Sequence, residues 1–539
     1  MSCIVCNGTV TIVLDCGMQP VSSRFVKAEQ EREALFPLAL GVCETCCLVQ
    51  LSKKFPQQEL IPKYDWIKYQ EPEEHVDMLA HIIAGLKGKR VLGISPKEDS
   101  TLEKLKRCTT YRLTEADLGC SLGSESVQKA LGEKADEIVK KHGTFLTVIA
   151  RQIFEHTYNP EAFIDALKKL STHDGTIIIE VPDSTKQLEM LDYGMLWEEH
   201  VIYFTPATLK NTLARYGLKT IQFFVYPYPT EPSIIAIVKK GKQEQLLINE
   251  KERAVIYGQL FQQRKAEVRE YVAEQQKKGK IALFGAGHMA CMLLNLFNLK
   301  DYTDVIIDDS EHKREMMMPL SHLKIQNSLS DIKTLLLTVN PNTEEKIIAK
   351  NSSFQGQVVS LCPGSSRALS LWKEKNKEVF YSAQPFPILS KRDIDVLKEK
   401  AQHTERQRSR LCTHPDENAV VHEMFIIHNR NTYVRPHKHL KKTESLHIIE
   451  GTATVILFDD NGNITRKVML GDYNSGYPFY YRMNSSTYHM LVITSETLAF
   501  VEAATGPFDK SETVFPSWAP EEKDKEKVEQ LMNKIRGAL

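Results

Sequence analysis

The sequence has no excess of charge. Its 539 residues carry 69 Lys and Arg against 69 Asp and Glu, with a pI near 7.3. Without a basic stripe nothing tracks a phosphate backbone, and without an acidic tail nothing holds a basic partner. No nucleic-acid partner is expected. No apolar run approaches the ~20 residues of a membrane helix, so no membrane partner is expected either. The opening residues, Met1-Ser2-Cys3-Ile4-Val5-Cys6, lack the basic and apolar stretches of a secretory leader. The expected location is the cytoplasm. No internal repeat appears beyond two α/β stretches. In a reducing compartment the eleven cysteines point to metal ligation or inert burial, not disulfides.

A chain of this length exceeds one hydrophobic core, so several domains of roughly 100–200 residues are expected. Residues 1–62 are loop-rich and hold six of the eleven cysteines. Cys3-x-x-Cys6 and Cys43-x-x-Cys46 are two knuckle pairs whose four thiolates can close a tetrahedral zinc site. Such a site supplies the stability that a small core does not. Cys16 and Cys47 fall outside the pattern.

Residues 63–240 alternate apolar strands, at 89–95, 144–150 and 176–181, with helical stretches such as 160–170. That alternation predicts a doubly wound sheet. Residues 241–279 are charged and Gln-rich, with apolar residues at near-helical spacing, and read as connecting helices. A second α/β unit spans 280–375. It opens with a strand at 281–284, a Gly285-Ala286-Gly287 turn and a helix from Cys291. Gly285-x-Gly287-x-x-Ala290 with Asp308 after the next strand also satisfies a dinucleotide fingerprint. Residues 361–392 read as an irregular separator, with Pro363-Gly364 and Pro385-Phe386-Pro387.

Residues 376–539 change character. His437-Lys438-His439 puts two imidazoles on one face of a strand. Glu444, Gly451 and His489 follow, among short apolar runs broken by the turn Asp459-Asp460-Asn461-Gly462. His437, His439, Glu444 and His489 suit a divalent metal such as Zn, Fe, Ni or Mn.

The order of these features resembles the sugar C-methyltransferases that act on keto-deoxy nucleotide sugars. The resemblance covers roughly residues 1–370. It runs through Cys3, Cys6, Cys43 and Cys46, then Arg151-Gln152-Ile153-Phe154-Glu155-His156 and Glu180-Val181-Pro182. It continues through Glu198-Glu199-His200-Val201-Ile202-Tyr203-Phe204-Thr205, then Gly285-Ala286-Gly287, Asp308 and Pro319-Leu320. The last part, through Tyr433 to His439, Leu457 to Gly462, Tyr488-His489 and Pro516 to Pro520, resembles the WbuC-type cupins of bacterial O-antigen clusters. Together they imply an α/β multidomain protein. Its parts would be a small zinc-binding domain, an S-adenosylmethionine (SAM) methyltransferase-like Rossmann domain, a second Rossmann-like domain and a C-terminal all-β cupin barrel. Cupins pair through their barrels, which implies a homodimer.

The resemblance also implies roles. His200 would be the base that removes a proton next to the sugar ketone, helped by Glu199, with His156 at the carboxyl edge of the sheet and Tyr64 closing the pocket. Gly93, Ser95, Glu115 and Arg151 would face SAM. Gly285, Gly287, His288 and Asp308 would contact the nucleotide sugar, the dinucleotide reading staying open. Two departures stand out. Trp197 replaces a tyrosine, and indole cannot act as a base. The loop Gly93-Ile94-Ser95-Pro96-Lys97-Glu98-Asp99 lacks the family's acidic residue at 93 and its glycines at 95 and 99. The leading expectation is a nucleotide-sugar C-methyltransferase with a fused metal-binding cupin. The alternative is a SAM-independent isomerase, epimerase or sugar-binding protein in which the cupin carries the chemistry. A non-enzymatic carbohydrate-sensing scaffold stands third.

Overall fold

Strands that are apolar on both faces have to be covered on both faces, and the centre of the chain holds several of them. In the computed structural model, which describes every residue except 68–71, 87–88, 229–230, 370–371, 383–386, 388, 485 and 539, they form the middle of open sheets. The chain divides into two compact units, Met1–Leu369 and Ser370–Leu539. Among the described residues no helix is long and apolar enough to cross a membrane.

The first unit contains three sheets. Val10–Pro20, Leu35–Cys43, Val49–Leu51 and Ile202–Tyr203 make an antiparallel sheet beside the four cysteines. Its last strand comes from far along the chain, pairing Tyr203 with Val49 and Ile202 with Gln50, and this fixes His200 just ahead of it. The largest sheet has six strands in the order Thr109–Arg112, Arg90–Gly93, Phe145–Arg151, Ser171–Pro182, Ser233–Lys240, Leu218–Tyr226. The first four are parallel, and the last two add antiparallel to the edge. The third sheet has five parallel strands centred on Lys280–Phe284. Between the second and third sheets run the helices Lys251–Gln259 and Phe261–Gln276. The first presses so closely on the strand Val10–Pro20 that a Cβ on Gly258 would sit 1.8 Å from the Val13 carbonyl oxygen.

The order in which the chain adds strands to the six-stranded sheet reverses between the parallel strands Arg90–Gly93 and Phe145–Arg151. That switch point is where α/β sheets open a ligand crevice. Here Arg151, with no exposed surface, lies across it. Its Nε donates to Glu180 Oε2 at 2.6 Å, and its Nη1 donates to the Lys97 carbonyl at 2.9 Å. His75 Nε2 meets Glu180 at 3.0 Å while His75 Nδ1 meets Tyr228 Oη at 2.6 Å. Burial would raise Glu180, yet the His75 hydrogen bond and the Arg151 charge hold it down at about 2.

The second unit is sheet-rich. A seven-stranded sheet that includes Val421–Asn429, Glu444–Glu450 and Thr497–Thr505 packs against a three-stranded one, Ile464–Gly471, Thr452–Phe458, Tyr488–Ile493. Ile426, Leu446 and Phe500 from the first meet Val455, Leu470 and Leu491 from the second in one core. The expected closed barrel is not what forms: among the described residues these strands and the pair Lys438–His439/Thr513–Val514 stay in separate sheets. The expected irregular separator also needs correcting. Trp372–Asn376 and Val379–Ser382 form a hairpin within it, because Val379 and Phe380 are buried and Val379–Ser382 runs parallel to Arg408–Cys412. The run Lys373-Glu374-Lys375-Asn376-Lys377-Glu378 hides this in the sequence. Pro385 and Phe386 lie outside the described residues.

Removing one partner of a buried ion pair leaves the other uncompensated, at a cost of about 3–5 kcal/mol. Arg151→Met should lower the urea stability of the first unit by that amount. A loss below ~1 kcal/mol would mean that the Arg151 network does not hold the crevice together.

Candidate functional site

Two knuckles bring the N-terminal thiols together. Cys3 Sγ lies 3.6 Å from Cys46 Sγ, and Cys6 Sγ lies 3.4 Å from Cys43 Sγ. Those spacings approach the ~3.8 Å edge of a tetrahedron with zinc–sulfur bonds of ~2.3 Å. Val5 N and Gly8 N donate to Cys3 and Cys6 sulfur at 3.5 and 3.4 Å. A Cβ on Gly8 would fall 2.5 Å from Thr45 Oγ1, so the turn requires glycine. The contact with Cys46 lowers the Cys3 thiol to about 5. Cys3, Cys6, Cys43 and Cys46 therefore fit a structural zinc ion.

At the switch point the residues expected to face SAM are turned inward. Ser95 begins a 3-10 turn at Pro96–Glu98 that carries the Glu98 side chain back under the loop. Glu98 Oε2 accepts from Ser95 N at 2.6 Å and Ser95 Oγ at 2.9 Å, while Oε1 accepts from Arg151 N at 2.7 Å. A Cβ on Gly93 would meet Glu98 Cβ and Leu102 Cδ1 at 2.9 Å, so glycine at 93 makes room for the chain's own side chains. Lys97 Nζ reaches the Gln152 carbonyl at 2.7 Å, and Asp99 pairs with Arg112 Nε at 2.9 Å. The first contact ties the loop after Arg90–Gly93 to the end of Phe145–Arg151, and the second ties it to the end of Thr109–Arg112. Glu115 is exposed in the first turn of a four-residue helix. The amino-acid end of SAM needs bare backbone at such a loop. The residues present do not fit SAM in this arrangement.

Next to the crevice lies a cluster of histidines. His156 and His200 rings sit 4.9 Å apart, and Trp197 packs on His200 at 4.8 Å and stacks on His288 at 4.6 Å. The indole thus lies between His200 and His288, which begins the helix after the strand Lys280–Phe284. His156 Nδ1 meets the Glu199 carbonyl at 3.0 Å, and its Nε2 lies 3.7 Å from Glu155 Oε1. Burial lowers His200 to about 3 and His288 to about 4, with the charge of Lys97 adding to the effect on His200. The ligand atoms of Glu155, His156 and His200 lie within 4.8 Å of one another, so this cluster offers an ion three donors. Glu198 is turned the other way, accepting from Ser22 N at 2.6 Å and Ser22 Oγ at 2.8 Å. Tyr64 is brought elsewhere: its ring stacks on Trp66 at 5.2 Å, and among the described residues no ring contact joins it to His200.

In the third sheet's loop Gly285 adopts a φ of +101°, where a side chain would meet Val339 Cγ1 at 2.4 Å. Gly287 faces open space at the start of the helix His288–Leu296. Asp308 is used internally: it accepts from Ala286 N at 2.7 Å, Ser310 N at 2.9 Å and Lys313 Nζ at 3.0 Å. Its carboxylate braces the glycine turn rather than standing ready for a ribose.

The second unit gathers His437, His439, Glu444 and His489. His439 Nε2 and His489 Nε2 lie 3.2 and 3.0 Å from the two Glu444 oxygens. The strand segments holding His437 and His489 exchange both backbone hydrogen bonds, at 3.1 and 2.8 Å. Each ring is oriented through Nδ1, at Arg435 O (2.8 Å), Thr513 Oγ1 (3.1 Å) and Thr487 O (3.0 Å). Nδ1 fixed from outside with Nε2 turned inward is the arrangement of metal-ligating histidine. These four side chains could hold one divalent ion.

Sequence reasoning missed the reach of Lys97, the Asp99–Arg112 pair and Lys313 beneath the glycine turn. Each joins segments remote in sequence, so no local spacing marks it.

Family models match the chain in the order that this geometry follows. A putative zinc binding domain covers residues 3–60, a methyltransferase domain 69–222 and a C-methyltransferase C-terminal domain 228–363. A domain of unknown function matches 389–470. The C-methyltransferase NovU of Streptomyces niveus is 24% identical over 225 residues, covering 39% of this chain and 53% of that protein. The chain thus spans about half the length of this curated relative. Similar solved structures include oxalate decarboxylase of Bacillus subtilis, at 19% identity over 18% of this chain and 24% of that one with a TM-score of 0.15. Procruciferin, an 11S globulin of Brassica napus, shows 17% identity over 16% and 21% with a TM-score of 0.14. Both likenesses are too slight to define a fold. The three ordered domains make residues 3–363 a methyltransferase module. The chain belongs to the C-methyltransferases with an N-terminal zinc-binding domain.

Cys43→Ser should remove one equivalent of zinc per chain by emission spectrometry and lower the melting temperature, because binding energy at such a site is folding energy. Unchanged zinc content would remove the four-cysteine site from the account.

Proposed function

We propose that the first unit enolises a keto-deoxy nucleotide sugar, the step with which methylation next to a ketone begins. The observation that carries this is the cluster of His156, His200 and His288 around Trp197. The His200 imidazole takes the proton from the carbon beside the ketone, leaving an enolate. Charging His200 is costly where it is buried, and the enolate formed beside it offsets that cost. Lys97, whose charge already reaches His156 and His200, stabilises the enolate oxygen. His288 and the open backbone at Gly287, at a helix start, support the nucleotide end. Membership of the C-methyltransferases favours methylation as the next event. The filled crevice favours a second reading, in which the proton is returned and the outcome is isomerisation or epimerisation. The second unit is proposed to be a cupin-type module that holds a divalent metal at His437, His439, Glu444 and His489 and acts on a related sugar.

In deuterium oxide, wild-type protein should place deuterium on the carbon beside the ketone of a keto-deoxy sugar nucleotide. His200→Ala should slow this about 10²–10⁴-fold, as for loss of a general base. A methylated product on adding SAM would decide for methylation. Absence of both deuterium uptake and methylation would overturn the proposal.

A further inference from the structure

Within the second unit a cavity of about 370 Å³ opens beside the histidine–glutamate cluster. That volume lies toward the small end of ligand sites, which run from roughly 300 to 1,000 Å³. Thr513 lines it and touches His439 Nδ1 at 3.1 Å, so cavity and cluster share a wall.

Three of the four carboxylates of the lining pair with a lysine, and the fourth, Asp509, is held by Ser511. Glu502 pairs with Lys442 at 3.2 Å and Glu512 with Lys441 at 3.4 Å. Glu417 pairs with Lys375, and Asp509 accepts from Ser511 N and Oγ at 2.8 Å. Arg410 has no carboxylate partner among the described residues. Its Nη1 rests on Met424 sulfur at 3.8 Å, and its buried Nε has no hydrogen-bond partner. His422 lines the same cavity with 7% of its surface exposed, stacked on His414 at 4.1 Å, and its Nε2 is likewise unpartnered. A third buried polar atom without a partner, Glu512 Oε2, completes the set. Buried donors and acceptors left unpaired are costly. Three in one lining, beside open volume, point to a ligand that satisfies them.

We infer that this cavity binds a small hydroxylated carboxylate of the sugar-acid type, its carboxylate on Arg410 and His422 and a hydroxyl on Glu512. A guanidinium fork matches a carboxylate in shape and charge. Arg410 is the lining cation that forms no ion pair among the described residues, so it is the anchor for an anion; with four carboxylates in the same wall a monoanion is held there at less repulsion than a phosphate monoester. Met424, Pro507 and Phe508 supply the apolar side on which a sugar ring lies. The inference deepens the proposed metal module, because the shared wall would place the ligand's far end toward the metal. The Arg410 contact itself needs no metal.

The test is calorimetric titration of full-length, zinc-replete protein, with and without added Mn²⁺, using glucuronate, glucose and glucose 6-phosphate as probes. Glucuronate should bind saturably, with glucose and glucose 6-phosphate at least about tenfold weaker. Arg410→Gln should weaken glucuronate about 10–100-fold, and the remote surface variant Arg430→Ala should leave it unchanged. Should Arg410→Gln misfold, the three-probe comparison on wild type still decides. Equal binding of glucose and glucuronate, no saturable glucuronate binding at all, or full affinity in folded Arg410→Gln would overturn the inference. Selective glucuronate binding that survives with no Mn²⁺ uptake would support the cavity while removing the metal reading, so the two fail separately.

Discussion

The guanidinium of Arg151 is the contact on which the first unit depends. It lies across the switch point of the six-stranded sheet, bonded to Glu180 on one side and to the Lys97 carbonyl on the other. Its backbone N–H also holds the Glu98 carboxylate. A buried cation of this kind stays only if every arm is met. Meeting those arms pulls the loop at 95–99 down onto the strand ends. The crevice that the topology creates is thereby filled by the residues that stabilise it.

Stability and chemistry are thus separated in space. The Arg151 network occupies the crevice, while the neutral histidines gather alongside, where Ile202–Tyr203 joins the N-terminal sheet. That pairing ties the four-cysteine segment to the residues around His200 through the register of Val49 and Gln50 with Tyr203 and Ile202. Asp308 repeats the theme in the third sheet, where a carboxylate at a ligand position braces its own loop.

The sequence made local features plain. The paired Cys-x-x-Cys spacing, the glycine turn at 285–287 and the His437-Lys438-His439 triplet each place their groups within one turn or strand, so spacing alone carries them. The strand-helix alternation of 63–240 was legible because its central strands, Arg90–Gly93, Phe145–Arg151 and Ser171–Pro182, are buried on both faces, while the half-exposed edge strands Thr109–Arg112 and Leu218–Tyr226 carry no such signal. What escaped depends on distance. Arg151 meets partners 29, 53 and 79 residues away, and its role cannot be read from its neighbours. The departures at Gly93, Ser95 and Asp99 were visible, but not that Glu98 folds beneath the loop and that Gly93 makes the space. The hairpin at 372–382 hid in a charged run because only Val379 and Phe380 turn inward. The cavity beside the second cluster joins Arg410, His422 and Glu512, which share no motif.

The most direct measurement is calorimetric titration of SAM into the full-length, zinc-replete protein. A crevice closed by Arg151, Glu98 and Lys97 predicts no saturable heat below about 1 mM SAM. Saturable binding in the micromolar range, one molecule per chain, would contradict it and mean that the loop at 95–99 opens to admit the cofactor.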